Sequence, residues 1–452
     1  MLHKTCKLIL STKIYEFNKI NKRSSALFIN SLKATDNFAY ITPHVDYQER
    51  IKNKELLQNN LDKRKSKIVL NKIENLWSIY EDLKNRKLQL EERKSVVSKE
   101  LGVLINSKQQ GDHVEKLKIQ NSLLKENVNK LKIPLWSAEE TAVEEYLKLP
   151  NELHPLTPCF NKNIIYEYGS KPSNSKNHVD IGGELNLLKH TQNGNYYLKG
   201  DAALFELGSK YYFSGILKQN SYTQFSNPDF SKSLIIEGCG VDHTDPNATF
   251  ILHHNEDTKV NVDNRLHLTG AGSLFSFLAY YAKNILHGKS LPLKYFSLGR
   301  QYMPSNATEA SLLHACQSSA VQLFGITKSG TDADIMLQET IETVKKAYGE
   351  LGYHFRFSYV PACELKMWES LRVSIEMYLC SLQSYIEIGN ISISGDFICK
   401  RLMIMYDYEK QHKFPHLISG TVLNVPKFLA CFLEQDGDFI LPEQFKAENW
   451  IK

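Results

Sequence analysis

The amino-acid sequence predicts an α+β protein in which a long helical hairpin precedes a domain built around an antiparallel sheet. The hairpin is indicated by residues 61–131, where apolar residues recur with helical spacing and the stretch contains no proline and only two glycines. The second domain is indicated after residue 155, where strand-like and helix-like runs follow one another without the strict alternation of βαβ units. Such an order favours an antiparallel sheet over a doubly wound parallel one.

The length and composition are those of a multi-domain globular protein. The 452 residues suffice for about two to three domains, and 42% hydrophobic residues suffice for a buried core. No run of about eighteen apolar residues occurs, so no transmembrane helix is predicted. The eight cysteines are scattered and form no Cys-x-x-Cys pair, which predicts reduced thiols and neither a metal site nor a disulfide framework.

Residues 1–40 are predicted to be a mitochondrial transit peptide and linker. Glu16 is the only acidic residue before Asp36, and lysines alternate there with apolar residues such as Ile14 and Ile20. A basic, serine-containing and nearly acid-free amphipathic segment is typical of mitochondrial targeting. A basic tail that targets nothing is the alternative. We expect the mature protein in the mitochondrial matrix.

Two apolar stripes predict that the hairpin domain, residues 41–150, contains two antiparallel helices joined by a turn at residues 106–112. The first stripe repeats every seven residues, which is the pattern of a helix that packs along another helix. Helices joined by a short turn run antiparallel. The stripes consist of Leu76, Leu83, Leu90, Val97 and Leu104, and of Val114, Leu117, Leu124, Val128 and Leu131. The exit from the helical region is predicted from Pro134, Pro150, Pro155 and Pro158.

The hairpin carries the positive charge of the chain. Residues 61–131 contain sixteen Lys and Arg against ten Asp and Glu, a net charge of +6, whereas the whole chain carries +5. A basic rod can bind a phosphate backbone, because lysine and arginine contacts release condensed counterions. A solvated coiled-coil surface explains the charge equally well. The candidate nucleic-acid contacts are Lys84, Arg86, Lys87, Arg93, Lys94, Lys108, Lys116 and Lys118.

The region after residue 150 contains neither a P-loop nor a Rossmann fingerprint, and it has no Gly-x-Ser-x-Gly elbow. The sequence therefore argues against both of these nucleotide sites and against serine-hydrolase chemistry. The predicted strands are Ile164 to Tyr168, Ser233 to Glu237, Leu291 to Ser297 and Val321 to Gly325. The predicted helices are Ala202 to Lys218, Leu274 to His287 and Gln338 to Leu351.

Three stretches resemble the seryl-tRNA synthetases, a family of class II aminoacyl-tRNA synthetases. Residues 197–206, YLKGDAALFE, are similar to the family's Leu-x-Gly-x-x-Ala-x-Leu-Glu helix, and residues 419–427, SGTVLNVPK, are similar to motif 3. Asn227, Pro228, Asp229 and Phe230 resemble motif 1, the dimerisation element. The resemblance covers nearly all of residues 45–440. It implies a class II domain at residues 151–452, a hairpin that grips tRNA, and a dimer interface at these four residues.

The resemblance breaks at the positions that it assigns to catalysis. Where motif 2 of the family has an Arg and a Glu, this sequence has Met303 and Ser305, unless a shifted register brings Arg300 into the site. A later Arg becomes His314, and the Glu that orders ATP and magnesium becomes Gln322. The serine-binding loop keeps Thr269 but has Ala271 in place of Glu, and motif 3 has Ser419 and Lys427 in place of Asn and Arg, whereas Glu376 and Glu387 survive.

These substitutions predict a protein without synthetase activity. Removing one charge that stabilises a transition state commonly costs about 10²–10³ in rate, and here several are absent. The sequence most resembles the catalytically inactive, seryl-tRNA synthetase-like mitochondrial members of this family in insects. That resemblance implies no cofactor, binding of tRNA with serine tRNA favoured, and a heterodimer with the active mitochondrial seryl-tRNA synthetase. The alternatives are a homodimer, an active synthetase with divergent motifs, or a fold recruited to a protein partner unrelated to tRNA.

Overall fold

The computed structural model describes residues 25–28, 41–107, 111–173, 176–191, 195–252, 265–307, 309–436 and 439–450. The predicted transit peptide therefore lies outside the described residues, apart from residues 25–28. Two compact units are present, one that contains residues 68–149 and one that contains residues 41–67 and 150–452.

Residues 41–67 belong to the C-terminal unit, although the sequence analysis grouped them with the hairpin. The guanidinium of Arg64 donates hydrogen bonds to the carbonyl oxygens of Asn151, at 3.1 Å, and Glu369, at 2.6 Å. The ammonium of Lys400 lies 2.7 Å from the carboxylate of Asp46. These contacts join residues that are about 90 to 350 positions apart, so the local sequence pattern did not reveal them.

The helices are α1 (Tyr47–Lys52), α2 (Lys54–Lys63), α3 (Leu70–Asn106), α4 (Asp112–Tyr146), α5 (His178–Glu184), α6 (Asp201–Gln219), α7 (Ser233–Gly238), α8 (Leu274–Tyr281), α9 (Gly330–Gly349), α10 (Phe397–Leu402) and α11 (Val425–Asp436). The strands are β1 (Asn163–Tyr168), β2 (Leu188–His190), β3 (Tyr196–Leu198), β4 (Thr223–Gln224), β5 (Phe230–Lys232), β6 (Phe250–Leu252), β7 (Leu266–Leu268), β8 (Ile285–Leu286), β9 (Leu293–Tyr302), β10 (Gln317–Thr327), β11 (Phe355–Tyr359), β12 (Leu371–Leu379), β13 (Ser384–Gly395), β14 (Met405–Tyr408), β15 (Gln411–Lys413) and β16 (His416–Asn424).

Helices α3 and α4 form the predicted antiparallel hairpin. Side-chain contacts join the start of one helix to the end of the other, with Lys72 Nζ 3.0 Å from a carboxylate oxygen of Glu145. Nearer the tip, Ser98 Oγ donates to the amide oxygen of Asn121 at 3.1 Å. All ten predicted stripe positions are buried or half-buried. The hairpin is therefore held by its own apolar seam.

The prediction that Pro134 lies outside the helical region is wrong, because α4 continues through this residue to Tyr146. Proline removes one backbone hydrogen bond and disfavours the turn before it. The apolar stripe nevertheless continues through Leu135, Ala138 and Ala142, all of which are buried. Packing along the seam outweighs the local preference of proline.

The C-terminal unit is built on an eight-stranded sheet, in the order β1-β11-β12-β13-β16-β10-β9-β4. Every neighbouring pair is antiparallel except β4 and β9, which are parallel, so the predicted α+β class is confirmed. Smaller sheets are formed by β5-β7-β6, by β15-β14-β8 and by β2-β3.

The two faces of the large sheet have different chemistry. One face packs against α6, α9 and α11 in a single apolar core, in which Phe205 contacts the rings of Phe428, Phe432 and Phe445. Side chains alternate along a strand. On β12 this places Val373, Ile375 and Met377 in the core, and Arg372, Ser374 and Glu376 on the opposite, polar face.

Two element predictions in this unit are wrong. Residues 233–237, predicted as a strand, form the short helix α7, whose apolar run buries Ile235 and Ile236. A short apolar run does not distinguish a strand from a buried helix by its period. The helix predicted from Leu274 to His287 ends at Tyr281, because Ala282 is extended and Lys283 adopts a left-handed backbone with φ of 60°.

Two glycines of α6 provide a matched test of the packing against this helix. A Cβ added to Gly208 would collide with the backbone of Phe445, whereas a Cβ added to Gly215 would meet no atom within 4 Å. We expect Gly208→Ala to lower the free energy of unfolding by about 1–3 kcal/mol, as overpacked cores do. Gly215→Ala should raise it by about 0.5–1 kcal/mol, because alanine favours the helix.

Urea unfolding of both variants, followed by tryptophan fluorescence, measures these changes. Equal stability of the two variants would exclude the close approach of residues 443–445 to α6.

Candidate functional site

A cavity of about 660 Å³ opens on the polar face of the eight-stranded sheet. This volume is typical of pockets that bind small molecules. Its walls come from β9, β10, β13 and β16, from the loop of residues 366–369 and from residues 269–275. The lining includes seven of the predicted positions, namely Thr269, Met303, Ser305, His314, Gln322, Ser419 and Lys427. Ala271 and Glu387 do not line the cavity.

The end of β9 contributes Gln301 and Tyr302 to the pocket lining, and Met303 follows directly, whereas Arg300 is not among the lining residues. The Nη2 of Arg300 lies 3.1 Å from a carboxylate oxygen of Glu206 in α6. Arg300 is thus paired with Glu206 and is absent from the lining of the cavity. The pocket has at this point an apolar side chain, Met303, which is 62% exposed.

Gln322 is held by internal hydrogen bonds. Its amide oxygen accepts from Gln301 Nε2 at 3.1 Å and from Thr421 Oγ1 at 2.6 Å. An amide oxygen has two lone pairs, so both are used. Gln301 Nε2 also donates to the carbonyl oxygen of Gly272. Where the resemblance implies a carboxylate, the pocket thus contains a neutral amide whose oxygen already accepts two hydrogen bonds.

Thr269 belongs to a buried cluster of hydroxyl groups. Its Oγ1 lies 3.2 Å from Ser231 Oγ and 3.1 Å from Ser276 Oγ. On the same strand, His267 is fully buried between Ser233 and Thr249, with ring-to-hydroxyl distances of 2.9 and 2.8 Å. Burial lowers the pKa of His267 to about 4, so the ring is neutral at physiological pH.

Two of the predicted dimer residues hold the loop of Ala271. The backbone nitrogen of Ala271 donates to a carboxylate oxygen of Asp229 at 2.8 Å. The carbonyl oxygen of Ala271 accepts from Asn227 Nδ2 and from Ser297 Oγ, both at 3.0 Å. Motif 1 is therefore bonded to the loop that the resemblance assigns to serine binding. This connection could not be predicted from local sequence patterns, because its partners are 26 to 44 residues apart.

The two surviving glutamates are enclosed by cations and hydroxyl groups. Glu376 is fully buried, and its carboxylate accepts from Lys162 Nζ at 2.5 Å and from Arg356 Nε at 2.7 Å. Burial opposes ionisation of Glu376, but these two cations outweigh it and hold its pKa below the usual value. Glu387 contacts the guanidinium of Arg372, and it accepts from Ser374 Oγ at 3.0 Å.

The loop of residues 366–369 is positioned by residues that the sequence analysis did not identify. Arg64 donates to the carbonyl oxygens of Lys366 and Glu369, and Asn151 Nδ2 donates to that of Trp368 at 2.8 Å. Burial lowers the pKa of Arg64 to about 10, which leaves it charged at neutral pH. One wall of the pocket thus depends on the segment that precedes the hairpin.

The predicted nucleic-acid contacts differ in their partners. Lys116 and Lys118 lie 2.5 and 3.9 Å from Asp112 and Glu115 of the same helix, and Lys87 lies 3.6 Å from Glu91. Lys84 lies over the ring of Tyr80, and Lys108 lies outside the described residues. Arg86 and Arg93 are exposed, lie one heptad apart on α3, and form an ion pair with no described residue.

The residues that the structure describes contain no helix long and apolar enough to cross a membrane. In the same part of the chain, no group of three or more His, Cys, Asp or Glu side chains could hold a metal ion.

Comparison with known proteins identifies the class first. Residues 263–436, which form most of the pocket, match the tRNA synthetase class II core domain shared by the G, H, P, S and T enzymes. The large antiparallel sheet and this match define a class II aminoacyl-tRNA synthetase fold. Within that class, the chain belongs to the seryl-tRNA synthetase family.

The relatives support this assignment over nearly the whole chain. The chain is 30% identical over 426 residues to the serine–tRNA synthetase-like protein Slimp of Drosophila melanogaster, covering 92% of this chain and 89% of that protein. It is 25% identical over 430 residues to the mitochondrial serine–tRNA ligase of Mus musculus, covering 88% and 82%. The crystal structure of seryl-tRNA synthetase from Pyrococcus horikoshii complexed with ATP superposes with a TM-score of 0.78 at 17% identity, covering 89% and 97%.

Proposed function

We propose that this protein is a non-catalytic member of the seryl-tRNA synthetase family that binds tRNA in the mitochondrial matrix and dimerises with the active mitochondrial seryl-tRNA synthetase. The observation that carries the proposal is the neutral, internally bonded group of Gln301, Gln322 and Thr421 at the centre of the pocket. The resemblance assigns the position of Gln322 to a glutamate that orders ATP and magnesium, and the amide of Gln322 cannot supply that negative charge.

The loss of activity follows from the electrostatics of phosphoryl chemistry. Class II adenylation depends on positioned charges that stabilise the transition state, because the protein does little covalent work. Met303 and Gln322 supply no charge to the cavity, and Ala271 provides no carboxylate for a substrate ammonium. Lys427 keeps a positive charge in the lining, but an ammonium lacks the bidentate fork of arginine.

We expect the purified protein to catalyse no serine-dependent exchange of pyrophosphate into ATP. The reason is the simultaneous absence of charge at the positions of Ala271, Met303 and Gln322. The assay uses magnesium, ATP and serine, with an active seryl-tRNA synthetase measured in parallel as the control for sensitivity. Exchange above background would contradict the proposal and favour a working synthetase with divergent motifs.

Binding of tRNA, with serine tRNA favoured, is supported by exposed cations of the hairpin. Residues 61–131 carry a net charge of +6, but residues 61–67, which supply +3 of it, belong to the C-terminal unit, and the hairpin residues 68–149 carry only +1. The support therefore comes from individual cations of the hairpin: Arg86 and Arg93 are exposed without a carboxylate partner among the described residues. Contacts to phosphates position an RNA without reading its bases, so we propose that this surface provides affinity more than specificity.

We expect the double substitution Arg86→Gln and Arg93→Gln to weaken binding of serine tRNA and to reduce the salt slope by about two, because each lost phosphate contact reduces it by about one. The matched control is Lys116→Gln and Lys118→Gln, which also removes two positive charges from the hairpin. Its effect should be smaller, because these lysines are already paired with Asp112 and Glu115. Filter binding between about 50 and 200 mM salt measures both.

Equal losses in the two double variants would refute the assigned contacts. An affinity that does not depend on salt would refute the binding mode itself and favour recruitment to a protein partner.

Dimerisation is supported by an apolar surface beside Pro228. Phe230, Leu268 and Phe250 lie in register across β5, β7 and β6, and the next row consists of Leu266 and Leu252 with Lys232 at its edge. Phe230 is 48% exposed and Leu266 is 42% exposed. An aligned apolar face of this kind is typical of a surface that is covered by a partner. A pseudo-two-fold interface can accept a second copy or the active paralogue.

We expect co-expression with the active mitochondrial enzyme to yield a heterodimer, measured by size-exclusion chromatography and native mass spectrometry. The double substitution Phe230→Glu and Leu266→Glu should abolish it, because two buried charges without partners are costly. The control is Phe160→Glu. Phe160 is exposed and precedes β1, an edge strand of the large sheet, whereas the proposed surface belongs to the separate sheet β5-β7-β6. Recovery of only homodimers of each chain would refute the heterodimer.

A further inference from the structure

Two carboxylates in the polar wall beside the pocket converge on one guanidinium. Arg372 on β12 contacts Oε1 of Glu387, on the neighbouring strand β13, through Nη2. Its Nη1 lies 3.7 Å from Oε2 of Glu369 in the loop that lines the cavity. The side chain of Glu369 is 2% exposed, and those of Arg372 and Glu387 are 13% and 24% exposed. All three charges are therefore largely removed from water.

The other contacts of the two carboxylates come from neutral groups of the protein. Glu387 accepts from Asn390 Nδ2 at 3.1 Å and from Ser374 Oγ at 3.0 Å, and Glu369 accepts from the backbone nitrogen of Lys366 at 2.8 Å. Arg372 is thus the cation that contacts both carboxylates, and the ammonium of Lys366 acts on both electrostatically without forming an ion pair with either. Burial opposes the charge of Arg372, but Glu387 and Glu369 outweigh it and raise its pKa.

A buried pair of carboxylates needs a cation between its members. Without one, mutual repulsion and desolvation would force at least one of them to bind a proton. Oxygen ligands of this kind suit Mg²⁺ or Mn²⁺. The guanidinium of Arg372 instead donates a hydrogen bond to Glu387 and places its positive charge 3.7 Å from Glu369. The two solutions exclude each other, because one cation occupies the space between the carboxylates.

We propose that the guanidinium of Arg372 is the built-in counter-cation of Glu369 and Glu387, so that this wall of the pocket is complete without a divalent metal ion and excludes one. Glu387 then survives in the sequence as the partner of Arg372 and not as a metal ligand. This proposal rests on the proposed function, because the exclusion of a metal ion would be one reason for the absence of synthetase activity. Its test measures cation binding, which is independent of pyrophosphate exchange.

The experiment compares the full-length protein with two variants, using Mn²⁺ as the probe. Arg372→Gln removes the guanidinium and leaves both carboxylates. The matched control, Glu387→Gln combined with Arg372→Gln, removes one carboxylate together with the guanidinium. Binding of Mn²⁺ is measured by calorimetry and by electron paramagnetic resonance, and the melting temperature is measured with Mn²⁺ and with a chelator.

We expect no saturable Mn²⁺ site near these residues in the wild-type protein and one site in Arg372→Gln, with an affinity at least about tenfold above that of the control double variant. Mn²⁺ should also raise the melting temperature of Arg372→Gln and leave those of the wild type and the double variant unchanged. A folded Arg372→Gln protein that neither binds Mn²⁺ nor gains stability from it would overturn the proposal. So would a wild-type Mn²⁺ site that is lost in Glu387→Gln.

If Arg372→Gln does not fold even with Mn²⁺, the folding of the double variant Arg372→Gln/Glu387→Gln tests the proposal instead. Recovery of the fold when Glu387 is neutralised as well would support the role of Arg372 as counter-cation. Failure of the double variant to fold would overturn it, because the guanidinium would then be needed for something other than the balance of charge. Pyrophosphate exchange by the wild-type protein would refute the proposed function without touching any of these outcomes.

Discussion

The unequal chemistry of the two faces of the eight-stranded sheet is the constraint on which the C-terminal unit depends. One face is sealed by apolar side chains of α6, α9 and α11, and its burial needs no specific partner. The other face is polar, and there each buried group must find a particular donor, acceptor or counter-charge. The carboxylate of Glu376, for example, accepts from Lys162 and Arg356. The amide oxygen of Gln322 accepts from Gln301 and Thr421. The pocket exists because this polar face cannot close by simple apolar packing.

The same constraint explains how a pocket of this family can lack charge at Met303 and Gln322 and still keep its shape. A charge that is lost from a buried site leaves its former partner unsatisfied, which costs about 1–3 kcal/mol or more. In this pocket the amide oxygen of Gln322 avoids that cost, because neutral donors on Gln301 and Thr421 bind it. Gln301, Gln322 and Thr421 form a closed set, and Asn227, Asp229 and Ser297 hold the loop of Ala271 through its backbone.

The sequence predicted those features that depend on local periodicity or on ordered motifs. The seven-residue repeat of leucines predicted α3 and its antiparallel partner, and the motifs predicted which distant positions meet in one cavity. It did not predict that α4 passes Pro134, because a tertiary seam overrides the local preference of proline. Nor did it place Arg64 against the loop of residues 366–369, since contacts across about 300 residues leave no trace in spacing. The sequence did not show on which side of β9 the side chain of Arg300 lies. An error of one residue in an ungapped alignment would place it on the opposite side of the strand.

The hairpin and the pocket depend on different interactions, and this difference bears on what evolution can change independently. The hairpin is held by an apolar seam of its own within one compact unit, and its charges lie outside that seam. The pocket lies in the other unit, and the exposed side chains of α3 are positioned by the seam of the hairpin itself. A chain of this design can lose the chemistry of adenylation while it keeps the affinity for a phosphate backbone that Arg86 and Arg93 supply under the proposed function. Under the proposed function, the absence of charge at Ala271, Met303 and Gln322, beside exposed cations such as Arg86 and Arg93 on the hairpin, is what separates a binding role from simple decay of the whole sequence.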